Sequence, residues 1–376
     1  MQHFLIAALS FALSAPPQSN ASAPAQTGAL GLPSVSTELA GRWQTIYDLT
    51  RPRHGPLGLE VHVSPADAFA EMASLADAGV GPARAWCARH LGALPAESAT
   101  WATEASQHFL RLVQDHGGES WLLDPQFDPL SSLERAPEAV RQSVEESLAA
   151  CEPTLDHARA LALALRAVAI APRSAPDDTR RARALALLEE VRQSYPTSPW
   201  RTRAERLAWR IARLSPGQQA PELAVPDVDG NRLELSLLRG RTVLIDAWST
   251  DDPDLLQRVA ERRALLERFP AARIAVVGIG RAAEDALGFR RLLEELDLPW
   301  STAFERRGEA PAAGAWPLDA SPLSVLIDAR GTVRAVGLEG AELEAAVEQL
   351  LADPAGAESL PPRPSKERAV GRAADR

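Results

Sequence analysis

Thr242 to Trp248, TVLIDAW, is an apolar run broken by one acid, Asp246; it stops at the polar turn Ser249-Thr250-Asp251-Asp252, and Pro253 then opens a helical pattern. A run of this length bounded by turn residues reads as a strand buried on both faces. A buried strand feeding straight into a helix confines the chain to layered sheet-and-helix architecture. The surrounding pattern agrees over residues 217–352. Strands are expected near Arg232–Leu235, Thr242–Trp248, Arg273–Ile279, Trp300–Ala303, Ser324–Asp328 and Thr332–Val336. Helices are expected at Pro253–Arg268, Ala282–Leu296 and Ala341–Leu351. Asp227-Val228-Asp229-Gly230-Asn231 and Asp328-Ala329-Arg330-Gly331 have the residue types of hairpin turns.

The part before it, 36–216, carries helical periodicity throughout. Ser64 is placed to cap a helix opened by Pro65, and further helices are expected at 82–92, 97–115, 133–150, 154–170, 177–194 and 199–213. The last two, at about 182–214, resemble a tetratricopeptide-type hairpin with its corner at Tyr195-Pro196-Thr197-Ser198-Pro199. A single hairpin does not make a repeat array, which needs about three units. The fold class is therefore α followed by α/β: an all-helical N-terminal domain and a mixed C-terminal one. The Arg-rich stretch from Arg180 to Arg213 is interspersed with Glu189, Glu190 and Glu205, and reads as a solvated helix face rather than a basic groove.

Phe4 to Ala15, FLIAALSFALSA, has the length of a signal-peptide apolar region and leads to a small-residue site at Ala21-Ser22-Ala23, although no Lys or Arg precedes it. Residues 1–23 are expected to be a signal peptide, 24–35 a flexible leader and 353–376, Pro-rich and charged, a disordered tail. A periplasmic or secreted location follows, with no transmembrane segment. In an oxidising compartment Cys87 and Cys151 would form one disulfide; the alternative is two buried thiols. The net charge of −10 argues against nucleic acid as a partner. Lys366 is the only lysine, so the abundance of Arg reflects overall composition, and a single Arg says little about a site. His54, His62, His90, His108, His116 and His157 lack ligand spacing, and Asp251, Asp252 and Asp254 have no further donors; no metal and no cofactor are expected.

GQQAPELAVPDVDGNRLELSLLRGRTVLIDAWST and SPLSVLIDARGTVRA together resemble the redoxin branch of the thioredoxin-like superfamily, which comprises exported thiol–disulfide oxidoreductases and peroxiredoxin relatives. The resemblance covers about 217–352. It implies a thioredoxin-like domain in which Ser321-Pro322 stands at the cis-proline loop and Asp246 at the buried acid. It also puts Asp252 where the nucleophilic Cys belongs and Leu255 at the resolving position. Residues 217–352 contain neither Cys nor His. Disulfide exchange runs through a mixed disulfide and peroxide reduction begins at a thiolate, so a carboxylate can start neither.

No catalytic residue is therefore expected in this domain. Asp252, Pro253 and Asp254 also make a sound helix start with no function attached. The resemblance further implies a peptide groove, here Trp248, Ser249, Thr250, Asp251 and Asp252 with Ser321 and Pro322, which binds an extended chain through its backbone and needs no sulfur. The leading expectation is a redox-inactive module for protein or peptide recognition or scaffolding. The alternatives are a redoxin-class enzyme that recruits Cys87 or Cys151, and a partner-binding helical domain.

Overall fold

The computed structural model describes residues 36–50, 53–55, 58–60, 63–91, 101–124, 127–250, 252, 255–282, 285–306, 316–317 and 323–352. The expected signal peptide, leader and tail lie outside them, as do Asp251, Pro253, Asp254, Ser321 and Pro322.

The first part is helical, as expected: α1 (Thr37–Thr50), α2 (Pro65–Asp77), α3 (Gly81–Arg89), α4 (Trp101–His116), α5 (Pro129–Arg135), α6 (Glu138–Ala149), α7 (Asp156–Ile170), α8 (Asp178–Ser194) and α9 (Trp200–Leu214). Ser64 caps α2 by accepting from the Asp67 backbone N–H at 3.2 Å, with Pro65 in the first turn. Three features depart from the sequence reading. The helix expected over 133–150 is two, α5 and α6, because Ala136 turns extended (φ −64°, ψ 144°) ahead of Pro137. Asp128 starts α5 one turn early by accepting from Leu130 N–H at 3.0 Å. A two-strand hairpin, β1 (Arg53–Gly55) with β2 (Gly58–Glu60), also interrupts the helical run. One apolar cluster, running from Trp43 to Ile211, fills the layer between these helices.

The second part holds a five-stranded sheet in the order β7-β6-β5-β8-β9, formed by β5 (Thr242–Ser249), β6 (Ile274–Ala282), β7 (Thr302–Arg306), β8 (Leu323–Ile327) and β9 (Val333–Val336). β5, β6 and β7 run parallel; β8 is antiparallel to β5 and to β9. A short hairpin, β3 (Ala224–Pro226) with β4 (Arg232–Glu234), precedes the sheet, and α10 (Leu255–Arg268), α11 (Ala286–Leu296) and α12 (Gly340–Ala352) complete it. All eight residues of β5 are buried, which explains its unalternating apolar sequence. Apolar clusters cover both faces, one including Ile245 and Val325, the other Leu244 and Val347. Each expected strand and helix is present to within a few residues. β3, three residues ending in proline, had no readable period.

The two parts are joined by backbone as well as side chains. Val336 N–H donates to Arg173 O at 2.8 Å, and Arg173 Nη2 donates to Gly337 O. Gly337 has φ +68°, and a Cβ there would stand 2.7 Å from Glu134 O of α5, so only glycine permits this approach.

Candidate functional site

Asp252, at the position the resemblance gives to the nucleophile, is 0% exposed. Its backbone is fixed by Asp252 N–H to Ser249 O at 3.0 Å and Leu255 N–H to Asp252 O at 3.1 Å, a tight turn from β5 into α10. The carboxylate accepts from Arg89 Nη2, in the helical layer, at 2.9 Å through Oδ1, and lies 3.8 Å from Arg258 Nε through Oδ2. Burial alone would raise the Asp252 carboxyl pKa; Arg89, Arg258 and Arg135 outweigh burial and hold it below the ordinary range. Asp252 is an ionised anchor for a cation supplied by the other half of the chain.

Arg89 belongs to a larger buried network. Asp246, midway along β5 opposite Gly278 and Ser324, accepts from Arg258 Nη2 at 2.8 Å and from Arg262 Nε and Nη2, both at 3.2 Å. Arg258 and Arg262 also donate to Glu339, at 2.5 and 2.7 Å, just ahead of α12. Three carboxylates thus face Arg89, Arg258 and Arg262. Burial opposes the charge on Arg258, but Glu339, Asp246 and Asp252 raise its pKa further above the ordinary value. Asp246, which sequence reading left needing a partner, finds two because residues 258 and 262 share one face of α10.

Trp248 and Ser249 are 2% and 7% exposed, and Thr250 is half-buried. Trp248 stacks on Phe289 of α11 at 5.4 Å between ring centroids, as packing near the helix start requires. Leu255, at the resolving position, lies in the same apolar cluster as Trp248 and Phe289. Of the described groove residues Trp248, Ser249 and Asp252 are thus buried and Thr250 half-buried, and Arg89 of the helical layer reaches Asp252. A cleft of about 570 Å³ opens beside them, lined by Arg89, Arg135, Arg258, Glu261, Glu339 and Glu342 among others.

The expected disulfide is absent: Cys87 and Cys151 are both free. Cys87 is wholly buried in α3, inside the helical core, whereas Cys151 follows α6, half-buried, with Gln114 Nε2 3.8 Å from its Sγ. Burial, with Asp77 adding to it and Arg84 opposing, pushes the Cys87 thiol up to about 12. Such a thiol supplies almost no nucleophilic thiolate at neutral pH. Among the described residues no group of three or more His, Cys, Asp or Glu could hold a metal, and no helix is long and apolar enough to cross a membrane. The Arg-rich α8 and α9 carry the expected solvated pairs, Arg192 with Glu189 and Arg201 with Glu205. Arg203 and Arg210 depart from this, reaching inward to Asp128 and Glu134.

Arg89 itself was not singled out from sequence. ARAWCARHLG offers no signal for it, and Arg is the default cation of this chain.

Comparison with known proteins gives thiol–disulfide oxidoreductases and their relatives. No family model matches the chain. A provisionally named peroxiredoxin of Mycobacterium tuberculosis (strain H37Rv) is 32% identical over 91 residues, which are 24% of this chain; the chain spans 58% of that relative's length. The thiol–disulfide oxidoreductase ResA of Bacillus thuringiensis subsp. konkukian is 25% identical over 122 residues, 32% of this chain and 68% of ResA. Among solved structures, a thiol–disulfide oxidoreductase from Bacteroides fragilis aligns with 35% of this chain and 99% of its own at 20% identity and TM-score 0.32. The two named relatives are in keeping with the redoxin branch of the thioredoxin-like superfamily.

Proposed function

From the premise of a thioredoxin-like domain of the redoxin branch, we propose that this chain is a redox-inactive member used for protein or peptide recognition or scaffolding. The observation that carries the proposal is Asp252: at the nucleophile's position stands a wholly buried carboxylate bound to Arg89 of the chain's own helical layer. A carboxylate at this position offers no sulfur for disulfide exchange, and its pairing with Arg89 gives it a structural role. In this arrangement Asp252 ties the turn between β5 and α10 to the helical layer through Arg89. The signal-like residues 1–23 support work in the periplasm or outside the cell.

The assay that decides is reduction of insulin and consumption of hydrogen peroxide by the full chain and by C87S/C151S. Neither protein is expected to turn over either substrate. Turnover by the parent that the variant lacks would instead establish the thiol enzyme, with Cys87 or Cys151 as its nucleophile.

A further inference from the structure

The two parts are tied together unevenly. On one side lie backbone bonds and close packing. Val336 N–H donates to Arg173 O at 2.8 Å, Arg173 Nη1 donates to Ala136 O at 2.9 Å and Nη2 to Gly337 O, and Gly337 abuts the Glu134 carbonyl. The connector from α9 adds to this side. Gly217 N–H donates to Val333 O at 2.8 Å and Ala220 N–H to Gly331 O at 2.9 Å, while Trp209 and Leu214 of α9 pack into the apolar cluster of the sheet. On the other side stands the bond from Arg89 Nη2 to Asp252 Oδ1 at 2.9 Å, with Arg135 of α5 attracting Asp252 and Glu339 at longer range. The cleft of about 570 Å³ runs between the two sets of ties: Arg89 and Arg258 line it, and so do Ala136 and Glu342, both bonded to Arg173. Among the described residues no apolar cluster bridges the parts beside Arg89. The helical cluster draws only on residues up to Ile211, and those around Trp248 and Leu244 only on the sheet part.

We propose that the chain is built as a hinge and latch: the parts rotate about the β9 edge, Arg89–Asp252 is the latch, and its release widens the cleft while both apolar cores stay packed. Parts of a chain move against each other unless a large apolar interface joins them, and the latch side has none. The covalent connector, Ser215-Pro216-Gly217 with Gly217 at φ +87°, lies on the hinge side, where a rotation displaces it least. Opening costs the Arg89–Asp252 bond but lets water reach both charges. The closed form is therefore held there by a desolvated pair rather than by apolar burial. Release presents Asp252 beside Arg258 on the wall of the widened cleft. The movement is independent of whether the chain is redox-inactive.

Distances between pairs of spin labels, measured by double electron–electron resonance, test the proposal on the full chain carrying C151S, which leaves only the buried Cys87 besides the labelled thiols. One pair, A66C/Q257C, sits on the two walls of the cleft; a second, A139C/R334C, joins α6 to β9 on the hinge side, and all four positions are exposed. R89M and D252N each break the latch. Either should raise the fraction at longer distance in the first pair by at least about tenfold and leave the second pair unchanged. Where one variant fails to fold, the other decides. R89K, which keeps the cation, should shift the first pair in the same direction by less, and it stands in if neither folds. A first pair that does not change, or both pairs broadening together, overturns the proposal.

Discussion

Arg89 and Asp252, 163 positions apart in sequence, meet through a 2.9 Å bond with 6% and 0% of their side chains exposed. Breaking one side of a buried pair costs about 3–5 kcal/mol, while replacing both by apolar groups is often neutral. R89M is expected to fall near the lower bound, since Asp252 keeps Arg258 within 3.8 Å, and R89M/D252L to recover most of the loss. Urea denaturation of the double-mutant cycle checks this; additive effects would mean that the pair is not coupled.

Stability should fall on the acid side because of Asp252 and Glu339. Both carboxyls have a lower pKa folded than the ordinary 3.8 and 4.5, through nearby guanidiniums that outweigh burial. Such a group contributes stability above its unfolded pKa and loses it as pH drops through the folded value. The unfolding midpoint should therefore decline below pH 4, and D252N should flatten that limb. An unchanged limb in D252N would show that Asp252 is not held ionised.

His108 acts at milder pH. Burial, with Arg84 adding to it, lowers its pKa from 6.5 to about 4. A neutral buried imidazole contributes stability above its unfolded pKa, and the contribution is lost between pH 6.5 and 4. The full shift corresponds to about 3 kcal/mol. H108F, beside Phe69, should remove this slope and leave the steeper one below pH 4 in place.

The two thiols should differ sharply toward an aromatic disulfide reagent at pH 8. Cys151, half-buried, is expected to react within minutes in the folded protein. Cys87 should react only on unfolding, because it is inaccessible and its thiol is pushed up to about 12. Two equivalents titrating at one rate in native buffer would contradict this.

Gly280 supplies a packing test. A Cβ at this position in β6 would lie 2.3 Å from Phe289 Cζ and 2.9 Å from the Trp248 ring. G280A is expected to cost about 1–3 kcal/mol by overpacking, with loss of near-UV dichroism from Trp248. A stability within experimental error of the parent would refute the close approach.

The α/β part was legible because its strands are short apolar runs set off by Asp-Gly and Arg-Gly turns, and its helices start at clear signals. The helical part was legible in its periodicity but not at Pro137, where a proline inside a periodic stretch split one expected helix into two. That Asp252 and Leu255 stand where the resemblance puts two cysteines could be read from residue types alone. The pairing of Asp252 with Arg89 could not. Arg89 reaches Asp252 only through the packing of two separate layers, and such long-range pairing leaves no local pattern. Whether the two cysteines pair was left open for the same reason, since spacing along the chain does not tell which helix face each thiol occupies.

Asp246 sits in the middle of the central strand, where the flanking residues are Ile245 and Ala247. A charge embedded that deeply acts as an alignment pin. Arg258 and Arg262, one turn apart, engage it together, so any sliding or rolling of α10 by a single residue would strand a carboxylate inside the sheet. The helix that follows the central strand is thereby clamped in one register against the sheet.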